Sequence, residues 1–251
     1  VNTTLIGDTL IVFGRELRPV LRDPFSVVFS LAQPLFFLAL FAPLIPAAGG
    51  TAETLQWFVP GLIVMSCLFA TSSTGSNLQF EMQTGAHERM LVSPLRRPAL
   101  IIGRALKEIV PTFAQAALLI AVTIPFGFRP DPVGAILGLL LLCVFCVGLG
   151  ALSYTLALAS RNQEWVFWGV QQTLLFPLLL LAGMLLPVDN GPEWLRVLSR
   201  FNPLTHVVEA ERALFDGRLL APEVAAGVVA AVAVAAVGLF IGTRAMRRAT
   251  G

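Results

Sequence analysis

The sequence predicts an all-α polytopic membrane protein with six transmembrane helices, and three observations predict it. The first is composition: 56% of residues are hydrophobic and 13% charged, against roughly 25% charged in a soluble domain, and the mean hydropathy is +0.80. The second is a set of charge-free runs at 24–52, 54–80, 109–128, 132–160, 165–188 and 224–243. Each is near the roughly 20 residues that a helix needs to cross about 30 Å of hydrocarbon. Barrel strands are half as long and alternate, so helices are the remaining spanning solution. The third is the placement of basic residues. With both termini inside, the inner segments hold Arg15, Arg18, Arg22, Arg89, Arg96, Arg97, Arg104, Lys107, Arg161, Arg244, Arg247 and Arg248. The outer segments hold Arg129, Arg196, Arg200, Arg212 and Arg218. That asymmetry orients the N- and C-termini to the cytoplasm.

Residues 1–23 carry an amphipathic interface helix. Leu10, Phe13, Leu17 and Leu21 recur at helical spacing, while Asp8, Arg15, Arg18 and Arg22 fall on another face. Such a helix lies in the headgroup plane. No cleavable signal peptide is expected, because Asp8, Arg15, Glu16 and Arg18 break the first apolar stretch.

Residues 24–80 hold spans 1 and 2. Span 1 covers about 25–44, with Pro34 as a kink, and Gly49-Gly50 marks a short outer loop. Span 2 covers about 58–78. Its second half is strongly polar for lipid, with Thr71, Ser72, Ser73, Thr74, Ser76 and Asn77. Hydroxyls there either bond back to the helix or wall a polar vestibule. The candidate path residues from this span are Thr71, Thr74 and Asn77.

Residues 81–99 form a polar insert between apolar runs. Phe80, Met82, Met90 and Leu91 offer apolar anchors beside Glu81, Glu88 and Arg89. A short helix at about 81–91 presents them as a contact surface for a soluble motor protein. Ser93-Pro94 then breaks the chain.

Residues 100–188 hold spans 3 to 5. Span 4 is rich in small residues, Gly134, Gly138, Gly148 and Gly150, suited to close helix contact. Span 5 carries Gln171, Gln172 and Thr173 in its inner half, at the depth of the polar part of span 2. The two patches either share a cavity or pair as packing glue. Cys67, Cys143 and Cys146 all fall in spans and carry no disulfide or metal signal.

Residues 189–220 contain two short helix candidates, too charged to span, which lie at the outer face or re-enter it partly. Trp194, Leu195, Leu198 and Phe201 share one face, Asn202-Pro203 gives an N-cap with a first-turn proline, and Asp216-Gly217 a stop. Residues 221–251 are an Ala/Val/Gly-rich span 6 pinned inside by Arg244, Arg247 and Arg248.

The N-terminal amphipathic helix, the loop FEMQTGAHERMLVSPLRRPALIIGR after span 2, and the stretch GMLLPVDNGPEWLRVLSRFNPLTHVVEAERAL after span 5 carry a resemblance. Over essentially the whole chain the sequence resembles ABC-2-type membrane permeases of the daunorubicin-resistance class. The resemblance implies a bacterial cell-membrane exporter permease for drugs, lipids or lipid-linked glycans. It implies that the loop after span 2 is a coupling helix, with Glu81, Gly85, Glu88, Arg89 and Met90 docking on an ATP-binding subunit. It also implies that spans 2 and 5 of two permease copies line the path, and that the hairpin before span 6 closes its outer end. Outer-gate candidates are then Trp194, Asn202, Pro203 and Arg212. The expected partners are two ATP-binding subunits, a second permease copy in a homo- or heterodimer, the bilayer and a hydrophobic cargo, with no nucleic acid.

No G-x-x-x-x-G-K-[ST] phosphate loop occurs, and the only lysine, Lys107, follows no glycine-rich loop. ATP and Mg are therefore expected on the partner, with no catalytic residue, cofactor or metal on this chain. A membrane-embedded enzyme would need paired carboxylates or a His-Glu set within the spans. A secondary transporter or channel is the alternative, but proton coupling usually uses an intramembrane carboxylate or histidine, and no inverted repeat is seen.

Overall fold

The computed structural model describes residues 5–22, 25, 29, 32–44, 50–85, 97–160, 163–188 and 191–248. Among these residues every regular element is helical. Five helices are long and apolar enough to cross a membrane: Thr51–Gln83, Pro98–Phe126, Pro132–Ala159, Glu164–Leu181 and Pro222–Met246. The stretch Ala32–Leu44 is apolar but shorter. It is the described part of the expected first span, with helical Phe25 and Phe29 ahead of it; residues 26–28 and 30–31 lie outside the described ones.

In chain order, α1 is Leu5–Arg22 and α2 is Ala32–Phe41, which runs into a 3-10 turn at Ala42–Leu44. The long α3 is Thr51–Gln83. Next come α4, Arg97–Lys107, and α5, Ile109–Thr123, then α6, Pro132–Ala159, and α7, Glu164–Leu181. A hairpin of two short helices follows, α8 at Glu193–Phe201 and α9 at Pro203–Phe215, and α10, Pro222–Arg248, closes the described chain.

The bundle is built around α6, which touches α3, α4, α5, α9 and α10. Its start is set locally: Pro132 sits in the first turn and Asp131 Oδ2 accepts from the Gly134 N–H at 2.7 Å. Its glycines explain the close packing. A Cβ on Gly134 would overlap the Leu214 carbonyl, and one on Gly138 the Glu211 carboxylate, so both admit α9. A Cβ on Gly148 would lie 2.6 Å from the Ala235 amide, so that glycine admits α10. Gly150 differs, since a Cβ there would meet nothing closer than 3.6 Å. With lipid outside as apolar as the side chains within, such backbone approach is what binds helices together. The largest core cluster runs through Phe58, Leu62, Leu142, Phe145, Val207 and Phe215.

The structure departs from the sequence reading in three places. Helix α3 is longer than the expected span 2, and Trp57 lies inside it. Glu81 belongs to its last turn, and the helix closes at Thr84 and at Gly85, whose φ of 68° suits only glycine. A separate helix therefore does not open at Glu81, and residues 86–91 lie outside the described ones. The second departure is in span 3, which is kinked at Glu108. Pro111 supplies no N–H to the Lys107 carbonyl, which opens the helical ladder between α4 and α5. The third is in α1. Its face against the protein includes Asp8, Thr9 and Val12, the last two against Gly103 of α4, while Leu10 of the apolar stripe is exposed and Phe13 and Leu17 are half-buried.

Candidate functional site

Two polar nodes, at opposite ends of α3, tie the bundle together. The first forms where α3 ends. Arg104, on α4, is buried and reaches two carboxylates, Glu16 of α1 at 3.3 Å and Glu81 of α3 in a short charged hydrogen bond. Its guanidinium lies 5.3 Å from the centroid of the Tyr154 ring of α6. Both carboxylates are largely shielded, so the pairs act in a medium where charge is weakly screened. Arg104 thus joins four helices.

Two amides brace the same turns of α3. Gln79 Nε2 donates to the Ala157 carbonyl at 3.1 Å and to Ser160 Oγ at 3.0 Å, at the end of α6. Gln83 Nε2 donates to Glu164 Oε2 at 3.1 Å, at the start of α7. The last two turns of α3, directly ahead of residues 86–96, are therefore held by α1, α4, α6 and α7. Of the expected docking residues, Glu81 is in this node and Gly85 is the turn that follows. Glu88, Arg89 and Met90 lie outside the described residues.

Midway along α3, polar side chains mostly satisfy themselves on their own helix. Thr71 Oγ1 donates to the Cys67 carbonyl at 2.9 Å, Ser72 Oγ to Leu68 at 2.8 Å, and Ser73 Oγ to Ala70 at 2.6 Å. Thr74 is buried, and its hydroxyl has no hydrogen-bond partner among the described residues. Gly75 lets two helices in: its N–H donates to Ser153 Oγ at 3.1 Å, and Phe167 of α7 packs over it. Asn77 is exposed and lines a cavity of about 440 Å³ with Ser73, Lys107, Glu108 and Gln115. Gln172 and Thr173 are exposed on α7 and Gln171 is half-buried; none of the three lines that cavity. Thus α3 and α7 meet at Gly75 and Phe167, but the cavity beside Asn77 opens between α3 and the α4–α5 kink.

The second node is at the hairpin end. Arg212 of α9 donates from Nε to the Trp57 carbonyl at 3.0 Å and from Nη2 to the Gly183 carbonyl at 2.8 Å. Its guanidinium lies 3.9 Å from the centroid of the Trp57 ring, a cation–π contact. Asn202 caps α9, with Oδ1 accepting from the Leu204 N–H at 3.1 Å, and its Nδ2 donates to the Leu178 carbonyl of α7 at 2.8 Å. Thr205 Oγ1 donates to the Leu181 carbonyl at 3.2 Å. Pro203 is the first residue of α9, and Trp194 projects from α8, exposed. Asn202 and Arg212 thus hold the end of α7 and the turn after it from opposite ends of α9, while Pro203 faces α10 beside Ala225 and Ala226 and Trp194 stands apart from both contacts. Beside Arg212, Glu211 is fully buried against Gly138, and neither carboxylate oxygen has a hydrogen-bond partner among the described residues. Burial pushes this carboxyl up to about 8.

Residues 8–215 match the ABC-2 type transporter family. The chain belongs to that family. Its relatives include the daunorubicin resistance ABC transporter permease protein DrrB1 of Streptomyces coeruleorubidus, 26% identical over 86% of this chain and 77% of the relative. They include the putative transport permease ycf38 of Cyanophora paradoxa, 27% identical over 84% of this chain and 75% of the relative. The probable multidrug ABC transporter permease YbhR of Escherichia coli K12 is 29% identical over 64% of this chain and 44% of its own length. This ABC-2 permease is a multi-pass membrane protein.

Sequence reasoning missed the Arg104 node, the Lys107–Glu108 pair and Glu211. Arg104 and Lys107 entered only as inside charges. Both are buried on α4, which is packed on nearly all sides, and the spacing of charges along one helix does not reveal partners on other helices. Glu211 sits one residue before Arg212, and no local pattern distinguishes the buried member of that pair.

Proposed function

We propose that this chain is the membrane-spanning subunit of an ABC exporter that moves hydrophobic or amphipathic compounds, such as a drug, a lipid or a lipid-linked glycan, out of the cytoplasm or inner leaflet. It lies in a bacterial cell membrane with six spans and both termini in the cytoplasm. Two ATP-binding subunits carry ATP and Mg and supply the energy, and a second permease copy completes the path. The observation that carries the reading is Arg104. It binds the foot of α3 to α1 and rests on α6, so force applied to residues 84–96 reaches four helices at once.

The mechanism follows from differential binding: a partner can shift a two-state bundle only by the difference in its affinity for the two states. Closure of the ATP-binding subunits draws Gly85, Glu88, Arg89 and Met90 together with Glu81. The Arg104 node passes that displacement to α1, α4 and α6. Helices α3 and α7 then separate at the α1 end. The Asn202 and Arg212 contacts with the end of α7 and the turn after it then break, releasing at the other end the hairpin that carries Pro203 and Trp194. Thr71, Thr74, Asn77, Gln171, Gln172 and Thr173 border the path between paired copies. Exposed Gln172 and Thr173 fit that placement, because amide and hydroxyl groups facing hydrocarbon are costly.

The test is reconstitution in proteoliposomes with the ATP-binding subunit encoded beside it. ATP-dependent efflux of an apolar fluorescent dye is expected. In an Arg104→Met variant the ATP-binding subunit still co-purifies but efflux is lost. Failure of the native chain to bind any ATP-binding subunit, with dye movement independent of ATP, would replace this reading with a secondary transporter or channel.

A further inference from the structure

The cavity beside Asn77 has a composition that selects its occupant. It measures about 440 Å³, within the roughly 300–1,000 Å³ of small-ligand sites. Among the described residues its lining holds two ionisable groups, Lys107 and Glu108. Both are buried, Lys107 at 7% exposure and Glu108 at 2%. Their Nζ and Oε1 atoms are 3.1 Å apart, yet Glu108 Oε1 makes no aligned hydrogen bond among the described residues. Lys107 ends α4 and Glu108 stands at its junction with α5.

Away from the charged pair the wall turns mostly apolar, through Phe29, Phe69, Met65 and Pro34, with Gln33 and Ser66 set among them. Phe29 is exposed, so that side opens outward. The charged pair stands at the α4–α5 junction, about 27 Å along the helix from Phe126 at a rise of 1.5 Å per residue, which is close to the thickness of the hydrocarbon core. The cavity therefore has its polar end at one headgroup level and its apolar part in the adjoining leaflet.

Charge balance narrows the occupant. Among the described residues the lining is neutral, so a ligand with net charge would bring an uncompensated charge into a poorly hydrated space. A wholly apolar ligand would leave Lys107, Glu108 and Asn77 desolvated without new partners. A zwitterion meets both needs, its anion on the Lys107 ammonium and its cation on the Glu108 carboxylate. A primary ammonium is favoured over a quaternary one, because its N–H groups can donate charge-assisted hydrogen bonds to Glu108 and to the Asn77 carbonyl oxygen. We propose that this cavity binds the head group of a zwitterionic phospholipid bearing a primary amine, a phosphatidylethanolamine, with its first methylenes against Phe69 and Met65. The proposal goes beyond the export reading and needs no ATP-dependent step.

Native mass spectrometry of the detergent-purified full chain, without nucleotide, tests it. The protein is exchanged into equal amounts of phosphatidylethanolamine, phosphatidylcholine and phosphatidylglycerol. Phosphatidylethanolamine should be retained at least about tenfold over the anionic lipid, with the choline lipid between them. A Lys107→Met/Glu108→Gln double variant should lose that preference. A Ser73→Trp variant, which fills the cavity from an exposed wall position, should lose the bound lipid while keeping native elution and melting, and it decides the matter if the double variant misfolds. Equal retention of phosphatidylglycerol by the native chain, or an undiminished ethanolamine preference in Ser73→Trp, overturns the proposal. Efflux measured separately keeps its failure distinct from failure of the export reading.

Discussion

Arg104 and Glu81 form a buried charged hydrogen bond that fixes the last turn of the longest helix to the kinked third span. Removing the cation alone strands Glu81 and Glu16 in a shielded space, the costly way to break a buried pair. Arg104→Met should destabilise the fold by about 3 kcal/mol, at the lower end of the range for such losses because Glu81 keeps some exposure. Neutralising all three, as Glu16→Gln/Glu81→Gln/Arg104→Met, should recover part of that loss. Thermal unfolding in detergent measures both, and a triple variant no more stable than the single one would contradict the account.

Gly148 and Gly150 lie on one helix and look alike in sequence, but the structure separates them. A Cβ on Gly148 meets the α10 backbone at Ala235, whereas one on Gly150 meets only ordinary contacts. Gly148→Ala should cost about 1–3 kcal/mol through overpacking that backbone atoms cannot relieve. Gly150→Ala should be neutral or gain a few tenths from reduced unfolded-state freedom. Melting temperatures of the two variants give the comparison directly.

The contrast shows which parts of the molecule the sequence made legible. Span positions follow from charge-free length, so 132–160 and 224–243 in the sequence correspond closely to Pro132–Ala159 and Pro222–Met246. Cap chemistry is equally local: the Asn202 side chain caps α9, with Pro203 in the first turn, and Gly217 takes φ 76° after Asp216. Nodes are different. Arg104, Glu16, Glu81 and Tyr154 come from four helices, and no spacing rule links them. The protein-facing side of α1 was hidden for a related reason. An interface helix can turn its apolar stripe to lipid, and of the residues read as its polar face Asp8 is packed, beside Thr9 and Val12, while Arg15, Arg18 and Arg22 are exposed.

Arg212 holds two carbonyls on different elements at once, Trp57 and Gly183. Lysine has no planar fork and can serve only one of them in line. Arg212→Lys should therefore cost about 1–2 kcal/mol and loosen the turn after α7. Hydrogen exchange should accelerate at residues 182–186 while the Arg104 node stays protected. Uniform acceleration across the bundle would mean that Arg212 acts on global stability and not on the hairpin.

Glu211 gives the bundle a pH dependence with a definite sign. Its carboxyl titrates near 8 in the fold through burial, against an ordinary value of 4.5. Between those values the folded chain keeps a proton that the unfolded chain has released. Stability therefore falls as pH rises through that window and levels off above it. Ionised Glu211 would lie against Gly138, with no hydrogen-bond partner for either carboxylate oxygen among the described residues. Glutamine copies the neutral acid in shape but cannot ionise. Glu211→Gln should match the native protein at pH 5 and exceed its stability at pH 8.5, with its melting temperature nearly flat between. Coincident pH profiles for the two proteins would show that Glu211 is ionised in the fold, and the contact with Gly138 would then have to hold a charge.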